Sequence, residues 1–265
     1  MKIGFLGGGN MAAAMIGGLY QGHAIVVVEP DAAKGTALAE RYGIVTETAP
    51  AALFDCEIIV LAVKPQQLHS ALSGWPKLRP EQLVLSVAAG VRAADIARWL
   101  GGHPAIIRAM PNTPALVGAG ITGLFALPFV SSAQRSAAGT LLGAVGRVVW
   151  VEAEAQIDAV TAISGSGPAY VFLCIEALEA AARDLGLGAD TARQLALHTF
   201  LGAARLAVDE ASDPADLRAR VTSKGGTTER GVAALEAADV RAAFRNAARA
   251  AAVRANEMGD LFGKE

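Results

Sequence analysis

Apolar residues fall into two regimes along this chain. As far as about residue 150, short runs that are apolar almost throughout, at 3–6, 25–28, 58–62, 83–87 and 105–108, alternate with stretches of helical spacing near 10–20, 31–42, 66–72 and 93–100. Runs without a polar alternate position predict strands covered on both faces, and their alternation with helices predicts a parallel, doubly wound sheet. From Glu152 onward the spacing is helical, with Asp190, Asp213-Pro214 and Asp239 as start signals. The expected organisation is therefore α/β, with a sheet domain over residues 1–152 and an all-α domain over residues 153–265. Pro168 is expected to open a new helix over residues 169–185. Its charges, Glu176, Glu179 and Arg183, share one face and its other faces are apolar, so it is expected to be buried on more than one side, inside a dimer.

The first strand runs into Gly7-Gly8-Gly9-Asn10-Met11-Ala12 and then a helix. Gly7, Gly9 and Ala12 fill the three small positions of a G-x-G-x-x-G/A fingerprint: one for the tight turn, one for approach of a pyrophosphate to the backbone, one for close packing of helix on strand. The helix beginning near Asn10 would aim its unpaired N–H groups at those phosphates. This makes the sheet domain a Rossmann-type dinucleotide site. Glu29 ends the second strand, twenty residues after Gly9, where an acid accepts a hydrogen bond from a ribose 2′-OH and repels a 2′-phosphate. That rule points to NAD(H), while Lys34 in the next helix leaves NADP(H) open. On such a sheet the ligand lies beyond the carboxyl ends of the strands. Those ends are residues 7–11, Glu29, 63–65, 88–90 and 110–114.

Composition narrows the partners. The 265 residues are 53% hydrophobic, and a long charge-free run lies between Arg108 and Arg135. Pro111, Pro114 and Pro128 with Gly118, Gly120 and Gly123 make that run a poor helix for lipid. No basic segment leads into an apolar signal core, so a soluble, cytoplasmic protein is expected, with its surplus apolar surface in a subunit interface. With 23 basic and 25 acidic residues the net charge is -2, which advertises neither nucleic acid nor an anionic membrane. Small molecules and a second copy of the chain are the expected partners. Cys56 and Cys174 have neither metal spacing nor a disulfide framework, and no metal is expected. His198, the one histidine of the helical half, reads as structural.

The second unusual stretch is Val221-Thr222-Ser223-Lys224-Gly225-Gly226-Thr227-Thr228, a hydroxyl-and-glycine loop entering a helix. It offers backbone N–H groups and hydroxyls to a carboxylate, or else simply caps the helix. Together with the 7–12 fingerprint, Ala62-Val63-Lys64-Pro65, Val87-Ala88-Ala89-Gly90, Met110-Pro111-Asn112-Thr113-Pro114 and Ser164-Gly165-Ser166-Gly167-Pro168-Ala169-Tyr170, this loop resembles the pyrroline-5-carboxylate reductase family, in order over nearly the whole chain. The resemblance implies reduction of 1-pyrroline-5-carboxylate to L-proline with NADPH or NADH, a helical dimerisation domain, and often a decamer of five dimers.

Carried over by position, Leu6, Gly7, Gly8, Gly9, Asn10 and Met11, with Ala62, Val63, Lys64, Pro65, Ala88, Ala89 and Gly90, would contact the cofactor. Ser223, Gly226, Thr227 and Thr228 would hold the substrate, with Thr228 at the ring nitrogen, and Glu154 at the domain junction is a further polar candidate there. Two positions depart from the family habit. Lys224 stands where many members have Pro, and Glu29 where a polar or small residue is usual. A hydroxyacid dehydrogenase of similar layout would use a lysine on the interdomain helix, yet none occurs between Lys77 and Lys224. A protein that binds NAD(P)H without catalysis is the remaining alternative. Cyclic-imine reduction asks for little acid/base equipment, because a protonated C=N is already an electrophile, and alignment supplies most of the acceleration.

Overall fold

The computed structural model describes residues 1–264. The chain divides into two compact units, one formed by Met1–Ser166 together with the chain from Ala248 onward, the other by Gly167–Ala247.

In the first unit β1 (Lys2–Leu6), β2 (Ala24–Val28), β3 (Val45–Glu47), β4 (Ile58–Leu61), β5 (Leu83–Ser86), β6 (Ile106–Met110), β7 (Gly120–Ala126) and β8 (Gly146–Trp150) form one sheet, ordered β3-β2-β1-β4-β5-β6-β7-β8. All neighbours are parallel except β6 and β7. Its helices are α1 (Asn10–Leu19), α2 (Ala32–Tyr42), α3 (Pro65–Leu72), α4 (Ala93–Trp99) and α5 (Ser132–Gly143). Alternate side chains of each strand feed opposite cores. Ile3, Phe5, Ile58 and Val60 meet Met15 and Ile16 of α1 and Leu141 of α5, whereas Leu6, Ile59 and Leu61 meet Leu68 and Leu72 of α3 and Ile96 of α4. Full burial of a side chain of this size contributes roughly 1.5–3 kcal/mol, so a sheet covered on both sides draws on each position of a strand. Strand order reverses at β1, which lies between β2 and β4, and in a doubly wound sheet this is the point where a ligand crevice is expected, beyond Leu6 and Leu61.

The expected alternation of strand and helix is present, but the charge-free run after Arg108 holds a strand that hydrophobic pattern alone does not predict. Residues 113–117 make a short 3-10 turn and β7 follows it. Gly123 looks like a strand breaker; it is needed because a Cβ there would lie 2.6 Å from Val160 Cγ1.

Pro168 lies in the first turn of a new helix, as expected: α7 (Gly167–Asp184) begins after α6 (Gln156–Val160), a π-turn, Thr161–Gly165, and Ser166. Proline has no N–H, so the Ser164 carbonyl four residues earlier loses its usual donor. Asn112 supplies the replacement, its Nδ2 donating to that carbonyl at 3.1 Å while its Oδ1 accepts the Ile121 N–H at 2.9 Å. The wider turn is closed by Ser166 N–H donating to Thr161 O at 2.8 Å. By length and composition alone, the run Gln156–Asp184 would suffice to cross a membrane.

The second unit is helical. It contains α7, packed against α8 (Ala189–Glu210), then α9 (Pro214–Arg220), α10 (Thr227–Ala237) and the opening turns of α11 (Val240–Phe262). Among its described residues only Ala192 and Ala196 are apolar and buried, while Phe172, Leu173 and Leu201 are 59%, 65% and 63% exposed. So much exposed apolar surface marks an interaction face. Both cysteines are free.

Asn112 is buried and its side chain bonds two backbone groups, one in the π-turn and one in β7. Asn112→Ala is therefore expected to lower unfolding free energy by about 2–6 kcal/mol, from ~1–3 kcal/mol for each of the two orphaned groups. Urea unfolding measures it, and an unchanged midpoint would show that the π-turn stands without the staple.

Candidate active site

At the crevice the backbone geometry is imposed by one glycine. Gly7 leaves β1 with φ +99, its N–H donates to Val28 O at 2.9 Å, and a Cβ on it would lie 2.9 Å from Ala62 O. Only a residue without a side chain can make that turn beside β4. Gly8 and Gly9 then lead into α1, where Gly9 holds the N-cap position in extended conformation without any side-chain cap. The first-turn N–H groups, including those of Asn10, Met11 and Ala12, have no acceptor within the helix, and nothing lies within 4 Å of a Cβ placed on Gly9. That is an open, positively polarised seat for an anion such as a diphosphate. Ala12 is fully buried against the sheet.

Glu29 follows β2 and is bolted in place. Its Oε2 accepts the Gly8 N–H at 2.8 Å, its Oε1 accepts the Asp31 N–H at 3.0 Å, and its own N–H donates to Glu47 O at 2.9 Å. At the end of β4, Ala62 N–H donates to Leu6 O at 2.8 Å, Val63 follows, Lys64 takes the N-cap position of α3 without a side-chain cap, and Pro65 opens the helix. Two uncapped helix N-termini, α1 and α3, thus follow adjacent strands at the same edge of the sheet.

The loop after β5 carries Ala88, Ala89 and Gly90 and is held from two sides. On one side Met258 of α11 leaves no room for a side chain at Gly90, and Arg92 pairs with Asp260 at 2.5 Å. On the other, the Ala93 N–H that begins α4 donates to Glu154 Oε1 at 2.7 Å. Glu154 is also 3.2 Å from the Arg108 guanidinium, whose other nitrogen is 3.6 Å from Asp158. The Arg108 side chain is 4% exposed, against 23% and 17% for the two acids. Glu154, a substrate-side candidate on sequence grounds, is placed here as the cap of α4 and the partner of a buried arginine.

Sequence reasoning passed over Arg108, Asp158 and the α11 contacts. One signal was available: a single charge inside the apolar strand Ile106–Met110 must be paired to stay buried.

In the second unit, residues 223–228 form the entry to α10. Gly225 has φ +73, its N–H donates to Glu229 Oε2 at 2.7 Å, and Gly226 N–H donates to Ser223 O at 3.0 Å. The N-cap of α10 is Gly226, with no side-chain cap, so the hydroxyls of Ser223, Thr227 and Thr228 are not used as caps and are exposed. Lys224 is exposed in the same loop. His198 lies exposed on α8, and no cluster of metal-ligating side chains occurs among the described residues.

Comparison with known proteins adds to this geometry. A family model described as pyrroline-5-carboxylate reductase dimerisation matches residues 154–258, and one described as NADP oxidoreductase, coenzyme F420-dependent, matches residues 2–90. The chain is 44% identical to the pyrroline-5-carboxylate reductase of Pseudomonas aeruginosa, over 99% of its own length and 98% of that protein's. Among solved structures it is similar to a pyrroline-5-carboxylate reductase from Coxiella burnetii, with a TM-score of 0.89 and 42% identity over 97% of each chain. It is also similar to the Plasmodium falciparum pyrroline carboxylate reductase with NADP bound, with a TM-score of 0.86 and 28% identity over 98% of each chain.

Removing Arg108 leaves two facing carboxylates without their cation. Arg108→Ala is expected to cost about 3 kcal/mol, the low end for a broken buried pair because both acids retain some water. A fall in thermal midpoint reads this out, and an unaltered midpoint would mean that the acids are held by other groups.

Proposed function

The chain belongs to the pyrroline-5-carboxylate reductase family, and on that premise we propose how its own residues carry the reaction. It is an NAD(P)H-dependent oxidoreductase that reduces the C=N bond of 1-pyrroline-5-carboxylate to give L-proline, the last step of proline biosynthesis.

The cofactor is assigned to the first unit. The residues there fit it: Gly9 is open, α1 is uncapped, and a dinucleotide diphosphate needs a backbone that can be approached closely. Leu6 to Met11 would take the diphosphate, Glu29 the adenosine ribose, and Ala62 to Pro65 with Ala88 to Gly90 the remainder. When bound, the reduced nicotinamide supplies the hydride that adds to the imine carbon.

The substrate is assigned to residues 223–228. The observation that carries this assignment is the uncapped start of α10 with three unused hydroxyls beside it. A carboxylate seated on the N–H groups of Thr227 and Thr228 at the start of α10 would gain charge-assisted hydrogen bonds, with Ser223 Oγ as a further donor. The Thr228 hydroxyl is assigned to the ring nitrogen. With the substrate as iminium, the π pair of C=N moves to nitrogen as the hydride arrives, and a neutral secondary amine results without an acid from the protein. These side chains orient the ring rather than activate it. Glu154 enters through the α4 start that it caps, next to the Ala88–Gly90 loop.

We assign the exposed apolar faces of α7 and α8 to a homodimer through the dimerisation region, with a decamer of five dimers as the larger assembly, and place the enzyme in the cytoplasm, free of membrane and nucleic acid. Sedimentation at micromolar concentration tests the assembly, and a monomer would refute it.

Thr228→Ala should lower turnover by about tenfold, equivalent to ~1.4 kcal/mol lost in the transition state. The loss of absorbance of NADH or NADPH on adding 1-pyrroline-5-carboxylate measures it. Unchanged turnover removes Thr228 from the mechanism, and binding of cofactor without any oxidation favours a non-catalytic protein.

A further inference from the structure

We propose that this enzyme discriminates between its two possible reductants in favour of NADH, and that Glu29, with Glu47 beside it, is the discriminating group. The inference rests on the reductase reading of the crevice and deepens it.

The first observation is that Glu29 is held facing the glycine turn. Its carboxylate is fixed through both oxygens by the N–H groups of Gly8 and Asp31, so it stays at the end of β2 beside the glycine turn. An ionised carboxylate has about four acceptor positions, and two are spent here. The others suit the hydroxyls of a ribose that is bound next to the glycine turn.

The second observation is the surrounding charge. A cavity of about 210 Å³ adjoins Glu29, walled by Ala32, Gly35, Thr36, Thr46 and Glu47 among others, and none of its walls is a lysine or arginine. The nearby cation, Lys34, has its ammonium 3.1 Å from Asp31, which also caps α2 through the Ala33 and Lys34 N–H groups. A 2′-phosphate entering here would bring its charge toward Glu29, Asp31 and Glu47 and find one ammonium already paired. A 2′-hydroxyl would find acceptors. Rejection by unpaired like charge and attraction by a fixed acceptor act in the same direction.

The test is a set of initial rates with 1-pyrroline-5-carboxylate and each reductant on the intact enzyme, alongside dissociation constants for NAD⁺ and NADP⁺ by calorimetry without substrate. The wild-type kcat/KM is expected to be at least about tenfold higher with NADH, and the binding ratio to lie in the same direction. Glu29→Ser is expected to lower the preference by about tenfold or more. Glu47→Gln, which leaves both backbone bonds to Glu29 intact, is expected to lower it several-fold and serves if the first variant does not fold. A wild-type preference for NADPH, or a ratio unmoved by Glu47→Gln and Glu29→Ser, overturns the proposal. Failure of the reductase reading looks different: neither reductant is oxidised when the imine is added, while the binding ratio is still measurable.

Discussion

The crowding of Gly7 against the Ala62 carbonyl is the constraint from which the catalytic half is built. Two neighbouring parallel strands, β1 and β4, end side by side, and one chain must reverse there without a side chain in the gap. Because it reverses so sharply, α1 starts directly over the crevice with its N–H groups forward, and Ala12, Met15 and Ile16 come down on the sheet as its fully buried face. The glycine turn in turn presents the Gly8 N–H to Glu29, so the exit of β2 is tied to that of β1 by a hydrogen bond rather than by packing. Steric exclusion at one α-carbon thus orders a helix dipole, a core face and a carboxylate.

Much of this was legible in the residue pattern, for reasons that are local. Strands β1, β2, β4, β5 and β6 are buried on both faces and therefore nearly all apolar, a signature that neighbours in sequence carry by themselves. Strand β7 was hidden because its glycines answer to distant elements: Gly123 to Val160 of α6, Gly120 to Ala115 in the preceding turn. Strand β8 was hidden because it is the sheet's outer strand, with Val149 and Trp150 42% and 39% exposed, and it reads as the tail of a pattern rather than a member of it. Pro168 marked the start of α7 by a local rule, whereas Asn112, whose side chain bonds the Ser164 carbonyl, lies 52 residues upstream of Ser164 and is not visible locally.

The candidate site divides along the same line. Glycine-and-hydroxyl composition marked the 7–12 and 223–228 segments, because close backbone approach and uncapped helix starts require those residue types wherever they occur. What composition could not mark is support. Arg108, Glu154 and Asp158 become a unit only when β6 and α6 meet, and the bonds that hold the Ala88–Gly90 loop come from residues far along the chain. Residues that touch ligands obey chemistry visible in one dimension; residues that hold them obey geometry visible in three.

One such support has a bearing on how the protein is made. Helix α11 begins among residues of the helical unit, yet Met258, Asp260 and Phe262 complete the sheet unit, with Phe262 inside one of its cores. On a translating ribosome the nucleotide fold is therefore left unfinished until residues beyond 248 emerge, long after its eighth strand has left the tunnel. Throughout that interval the Ala88–Gly90 loop lacks one of its two anchors and the place that Phe262 fills in the core stands open.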